Sequence, residues 1–157
     1  MNSPLTAEAK TALVTGANGF VGQPLCAAMH MQEWRIKAAL RLPHQITAGV
    51  EPVLVGVVDG ETDWTDALFG VKVVIHLAAR VHVMKDVAVD PLAEFRKVNL
   101  YGTANLARQA ARADVQRPVH VSSVKVNGES TATTTNTPSF NPLPSKNSIP
   151  ENPIGHL

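Results

Sequence analysis

Three glycines spaced by three, Gly16, Gly19 and Gly22, are the residues of this 157-residue chain best suited to hold a ligand through backbone alone. They lie in Gly16-Ala17-Asn18-Gly19-Phe20-Val21-Gly22, after an apolar run over 11–15 and before a helical pattern over 21–32. A first glycine lets the chain turn through backbone angles closed to other residues. A second lets the backbone approach an anion, and a third lets the helix pack on the strand. The helix start then offers unpaired N–H groups and a favourable dipole to a pyrophosphate. With a strand before it and a helix after it, the turn predicts binding of a dinucleotide, NAD or NADP, by all seven of these residues. The second strand is followed by Arg41, about twenty residues past the turn. An acid there would bond the ribose hydroxyls of NAD, whereas an arginine can pair with the 2′-phosphate of NADP. A solvated loop arginine is the competing reading, so both cofactors stay open.

The elements that must carry this turn follow from pattern. Apolar, β-branched runs predict strands over 11–15, 36–40, 53–58, 71–77 and 118–122, of the kind buried on both faces of a parallel sheet. Helices are predicted over 21–32 and 91–113, the second with Asp90 as N-cap, Pro91 at its first position, and Leu92, Phe95, Val98, Leu106 and Ala110 near helical spacing. This alternation predicts an α/β fold, a Rossmann-like doubly wound parallel sheet truncated after about five strands, with an irregular C-terminal tail. Residues 10–128 are expected to form the NAD(P)-binding domain. The tail, 129–157, is rich in Ser, Thr, Pro and Asn, and five of the eleven prolines follow residue 137, so poor order is expected there.

Composition narrows the function classes. A net charge of +1 with scattered basic residues and 4% aromatics gives no footprint for nucleic acid. Cys26 is the only cysteine, which excludes an internal disulfide and reads as a buried helix residue. His76, His82 and His120 lack a metal-ligand spacing, so no metal is expected, and His76 reads as a packed strand histidine. With neither a secretory leader nor a membrane-length apolar run in view, a cytoplasmic protein is expected.

Four segments, in order, carry a family likeness: Thr15-Gly16-Ala17-Asn18-Gly19-Phe20-Val21-Gly22, Val74-Ile75-His76-Leu77-Ala78-Ala79-Arg80, Val98-Asn99-Leu100-Tyr101-Gly102-Thr103 and Val121-Ser122-Ser123-Val124-Lys125-Val126-Asn127-Gly128. Over about residues 10–128 the chain resembles the NAD-dependent epimerase/dehydratases of the extended short-chain dehydrogenase/reductase group. A narrower likeness, to UDP-glucose 4-epimerase-like members from surface-polysaccharide gene clusters, rests on Arg80-Val81-His82-Val83-Met84 and Val126-Asn127-Gly128-Glu129. The resemblance implies a nucleotide-sugar substrate and hydride transfer through a keto intermediate. It implies that Val58, Leu77, Ala78, Ala79 and Arg80 line the cofactor. Asn99 would lie near it too, with an ordinary helix amide bonded to a neighbouring loop as the alternative. It makes Ser123 the catalytic hydroxyl that bonds the sugar's reacting oxygen, with Ser122 the adjacent alternative and otherwise one of the cofactor-binding residues. The exposed edges of an incomplete sheet invite pairing with another chain, so a homodimer is a candidate assembly.

The likeness fails at the family's tyrosine and the lysine four residues after it. Tyr101 is the only tyrosine, and residue 105 is asparagine. The nearest match to the family's Tyr-Gly-x-Ser-Lys is Pro153-Ile154-Gly155-His156-Leu157, with Ile154 at the tyrosine position and the chain stopping where the lysine is due. Lys146 follows a serine, but no tyrosine precedes it at the required distance. Val57 stands where the family places an Asp toward the adenine, and Asp59 lies two residues on. The expectation is a chain that binds cofactor without turnover. The alternatives are a non-catalytic dinucleotide-binding module and an NADPH-dependent reductase of the same superfamily.

Overall fold

β1 (Thr11–Thr15) is a strand whose last four residues water does not reach: Ala12, Leu13, Val14 and Thr15 are each 0% exposed. Around it the computed structural model, which describes residues 10–81 and 89–123, builds a parallel sheet. Its other strands are β2 (Arg35–Leu40), β3 (Val50–Leu54), β4 (Val73–His76) and β5 (Arg117–His120), in the order β3-β2-β1-β4-β5. The chain steps outward from β1 to β3, then returns to the other side of β1 for β4. The strand order therefore reverses between β1 and β4.

Successive side chains of a strand point to opposite faces, and at the centre of this sheet, along β1, both faces are covered. Leu13 packs with Trp64, Leu68, Val71, Val74, Leu106 and Ala110. Its neighbour Val14 packs with Cys26, Ile36, Ala38, Leu40 and Val50. The first core is closed by α2 (Thr65–Leu68) and α4 (Thr103–Arg112), the second by α1 (Gly22–Met31). This is the expected doubly wound α/β arrangement, and Cys26 is buried as expected.

Several boundaries differ from the sequence expectation. β3 spans Val50–Leu54 rather than 53–58. Pro52 sits inside it because β3 is outermost in the sheet, where a missing N–H breaks no ladder bond. Gly56, at φ 71°, turns the chain out of the strand and leaves Val57 and Val58 in a loop. β4 is shorter than 71–77, since the Val71 N–H is spent on Leu68 O at the end of α2. β5 starts one residue earlier than 118–122, and all four of its residues are exposed. The expected helix over 91–113 is three segments: α3 (Pro91–Arg96), a π-helical segment (Lys97–Gly102) and α4. Asp90 does cap α3, its carboxylate accepting the Ala93 N–H at 3.0 Å. The chain divides into two units, Met1–Ser122 and Ser123–Leu157. Within the second only Ser123 is described, and the expected tail over 129–157 lies outside the described residues.

Replacing Leu13, 0% exposed, with Ala is expected to lower unfolding free energy in urea by about 2–5 kcal/mol. Leu54→Ala, at a side chain 60% exposed, is expected to stay within about 0.5 kcal/mol of wild type. Equal losses at the two sites would contradict this placement of the core.

Candidate functional site

The site begins where β1 ends. Gly16 takes φ 67°, and a Cβ there would lie 2.9 Å from Ala78 N and 3.0 Å from the Leu77 carbonyl carbon. The first glycine thus lets the end of β1 lie directly on the end of β4. At Gly22 a Cβ would fall 2.2 Å from Gly16 O and 2.7 Å from Ala17 Cα, so the third glycine seats α1 on the turn. Between them the Gly19 N–H donates to Gly16 O at 3.0 Å, and the Gln23 side chain donates to Asn18 O at 3.0 Å. Ala17 and Gly22 are buried, whereas Asn18, Gly19, Phe20 and Val21 face outward. No side chain caps the start of α1, and no acid lies in its first turn. A backbone cradle with an uncapped, unneutralised helix start fits a pyrophosphate.

The opposite wall is the segment after β4. The Thr15 hydroxyl oxygen accepts the Leu77 N–H at 3.2 Å and the Ala78 N–H at 3.1 Å. Further along, the Asn99 carboxamide accepts the Arg80 N–H at 2.8 Å and donates to Arg80 O at 2.9 Å. Of its two sequence readings, Asn99 therefore has the loop bond, and the loop it holds is the one expected to line the cofactor. The Arg80 guanidinium lies 5.5 Å from the centre of the Phe95 ring. Leu77, Ala78 and Arg80 are half-buried, and Ala79 is exposed.

A third segment, after β3, is fixed by amides that the sequence reading passed over. Asn105 Nδ2 donates to Thr62 O at 2.8 Å, as does Gln109 Nε2, while Gln109 Oε1 accepts the Trp64 N–H at 2.9 Å. The signal was there in the sequence: two amides four apart on the face shared by Leu106 and Ala110. Val58 packs against Gly102, where a Cβ would lie 3.0 Å from Val58 Cγ1. Asp59 is spent within its own turn. The Glu61 N–H it accepts holds its carboxyl below the ordinary range, with the Thr62 hydroxyl and Lys97 adding to this. Arg41 is exposed just beyond β2. Ser122 is exposed two residues past β5, which ends at His120 and not at the serines. Ser123, the first residue of the second unit, is exposed too.

His76 is a packed strand histidine, 4% exposed. Its Nδ1 lies 2.7 Å from Thr15 Oγ1, its Nε2 lies 3.0 Å from Thr103 Oγ1, and its ring stacks on His120 with centroids 5.4 Å apart. Burial, and after it the charge of His120, pushes its pKa down to about 4. Among the described residues no group of three or more His, Cys, Asp or Glu side chains could hold a metal. Among them, too, no helix is long and apolar enough to cross a membrane. Residues 82–84, 126–129, Lys146 and Ile154, all weighed in the sequence, lie outside the described residues.

A parallel sheet whose order reverses beside a glycine turn, with that turn opening a helix at the carboxyl ends of the strands, defines a dinucleotide-binding Rossmann domain. Comparison with known proteins gives the group: the model of the NAD dependent epimerase/dehydratase family matches residues 12–148. The chain belongs to that family, and the expected NAD or NADP agrees with the family's NAD dependence. It is 40% identical over 124 residues to UDP-glucose 4-epimerase of Vibrio cholerae, a match covering 78% of this chain and 37% of the relative. It is 32% identical over 130 residues to a 3β-hydroxysteroid dehydrogenase/Δ5→4-isomerase of Mycobacterium tuberculosis, covering 80% and 35%. A short-chain dehydrogenase/reductase superfamily protein of Agrobacterium tumefaciens, solved with bound NAD, is similar with TM-score 0.65 and 32% identity, over 80% of this chain and 36% of that one. MoeE5 in complex with UDP-glucuronic acid and NAD is similar with TM-score 0.66 and 27% identity, over 79% and 40%. The chain spans little more than a third of the length of these curated relatives.

The depressed His76 pKa sets a pH dependence of stability. Unfolded, the ring titrates near 6.5, and folded, near 4. Between these values the unfolded chain binds the extra proton, so stability falls as pH drops, by at most about 1.36 kcal/mol per pH unit. Between pH 7.5 and 5, urea unfolding of wild type is expected to lose roughly 2 kcal/mol more than that of His76→Phe, which has nothing to titrate there. Equal losses would show that burial does not hold His76 neutral.

Proposed function

We propose that residues 10–128 are the NAD(P)-binding part of an epimerase/dehydratase for a nucleotide sugar, and that these 157 residues hold the dinucleotide without turning over a sugar. The observation that carries the first half is the Gly16 seam: the ends of β1 and β4 in contact, beneath an uncapped α1. The likeness to UDP-glucose 4-epimerase and to MoeE5 supports the substrate class. In this reading the turn Gly16-Ala17-Asn18-Gly19-Phe20-Val21-Gly22 binds the cofactor, with Gly16, Gly19, Phe20 and Val21 at the pyrophosphate. Val58 borders the adenine, and Leu77, Ala78, Ala79 and Arg80 border the middle of the dinucleotide, with Asn99 keeping that wall in place. The bound nicotinamide supplies the hydride acceptor. Ser123, or its neighbour Ser122, bonds the reacting oxygen of the sugar, since a hydroxyl both donates and accepts.

The second half rests on the missing base. An unperturbed phenol titrates near ~10 and needs a neighbouring cation to serve near neutral pH. Tyr101, the only tyrosine, is followed at the fourth position by Asn105 rather than lysine. The cytoplasm is the compartment this reading assigns. A homodimer is its assembly, supported by the exposed Leu92, Leu100 and Tyr101. A second reading, an NADPH-dependent reductase, is favoured by the exposed Arg41 just past β2 and by the hydroxysteroid dehydrogenase relative.

Calorimetric titration separates these. Wild type is expected to bind NADH, and Gly19→Asp to lose about tenfold or more, because a carboxylate then faces the phosphates. A Cβ at residue 19 would lie 3.1 Å from Gly16 O, so the turn must give slightly and a small drop in the thermal unfolding temperature is expected; the affinities are compared below that transition. Unchanged affinity in Gly19→Asp would overturn the site. Tighter binding of NADPH than NADH, abolished in Arg41→Ala, would favour the reductase. UDP-glucose turnover with NAD above the level of Ser123→Ala would refute the absence of catalysis.

A further inference from the structure

We infer that His76 is a positioning residue for the dinucleotide cleft: as a neutral ring protonated on Nε2, it turns the Thr15 hydroxyl so that its oxygen holds the wall after β4. The inference rests on the proposed role of residues 77–80 as the cofactor's wall.

The argument is a count of protons. A threonine hydroxyl has one proton and two lone pairs. The Leu77 and Ala78 N–H groups both point at Thr15 Oγ1, at 3.2 and 3.1 Å, and take both lone pairs. The hydroxyl proton is left for His76 Nδ1, 2.7 Å away, so Nδ1 must be the bare nitrogen. The ring proton is then on Nε2, which donates to Thr103 Oγ1 at 3.0 Å. A proton on Nδ1 would make a third donor at an oxygen with two lone pairs, and the hydroxyl proton would lose the one acceptor that the described residues place within its reach. Leu77 N–H also reaches Thr15 O, at 3.3 Å, so of the two backbone donors it is Ala78, the residue against which Gly16 closes, that depends on the Thr15 hydroxyl oxygen alone.

The relay crosses three elements: Thr15 from β1, His76 from β4 and Thr103 from α4. His120 of β5 covers the ring face. Thr103 directly follows the π-helical segment whose Asn99 holds Arg80. Both ends of residues 77–80 are thereby tied to one helical run, the near end through His76 and Thr15. Burial keeps the ring neutral at physiological pH, which the relay requires.

Two measurements on the full chain test this. In the isotope-labelled protein, the imidazole ¹⁵N shifts of His76 are expected to show a bare Nδ1 and a protonated Nε2; the reverse tautomer would overturn the inference. In NADH titrations, Thr15→Val and His76→Phe are each expected to bind about tenfold more weakly, the loss of one buried hydrogen bond. The double variant is expected to bind no more weakly than Thr15→Val, and Thr15→Ser, which keeps the hydroxyl, to bind like wild type. Hydrogen exchange at the Ala78 amide should quicken in His76→Phe, even where thermal unfolding is unchanged. Additive losses, or wild-type affinity in His76→Phe, would refute the relay while leaving the cofactor site standing. Failure of the wild-type chain to bind NADH would instead overturn the site, and the role of His76 with it.

Discussion

The contact between the ends of β1 and β4 at Gly16 is the constraint from which the rest of the site follows. Neighbouring strands of a sheet run side by side, but the loops that leave them usually diverge. Here the chain turns at φ 67° with a gap of one missing methyl between it and the Ala78 backbone. The strand order reverses between these two strands, the arrangement in which connections depart toward opposite faces and a ligand crevice opens outside the strand ends. Any side chain at residue 16 would push its walls apart.

The loops around the seam are also tied by polar side chains. Thr15 holds the near end of residues 77–80 and Asn99 the far end, while Asn105 and Gln109 hold the loop after β3. Each such bond contributes only about 1 kcal/mol net, but a broken one leaves a polar group stranded at greater cost. All three amides come from one helical run, through the π-helical segment and α4. That run therefore does two tasks with two faces: Leu106 and Ala110 complete a core, and the amides fix two loops.

Much of this was legible in the sequence because it follows from residue type and spacing. The strand-turn-helix around Gly16, the alternation of strands and helices, the Asp90 cap and the buried Cys26 depend on local chemistry that one chain displays. The fold class followed from that alternation. What was less legible depends on contacts between distant residues. Gly56 ended β3 early and moved Val58 into a loop, whereas the valine-rich run alone reads as a longer strand. α2 has four residues, too few for a helical period to register. Thr15, Thr103, Asn105 and Gln109 read as ordinary polar residues until the fold brings them to partners tens of residues away, backbone groups for three of them and the His76 ring for Thr103.

The π-helical segment has a consequence of its own. An α-helix turns about 100° per residue, and a widened turn accommodates one additional residue. The two halves of the 91–112 run are therefore out of angular phase, and no single apolar stripe runs its length. Leu92, 57% exposed, and Leu106, 3% exposed, look like one face on a helical wheel but lie in different phases. The widened turn offsets the two halves: α4 keeps its core contacts while Asn99, within the widened turn, is aimed at the loop. Deleting one residue there would restore a uniform helix and, with α4 anchored, swing everything upstream about a quarter turn around its axis.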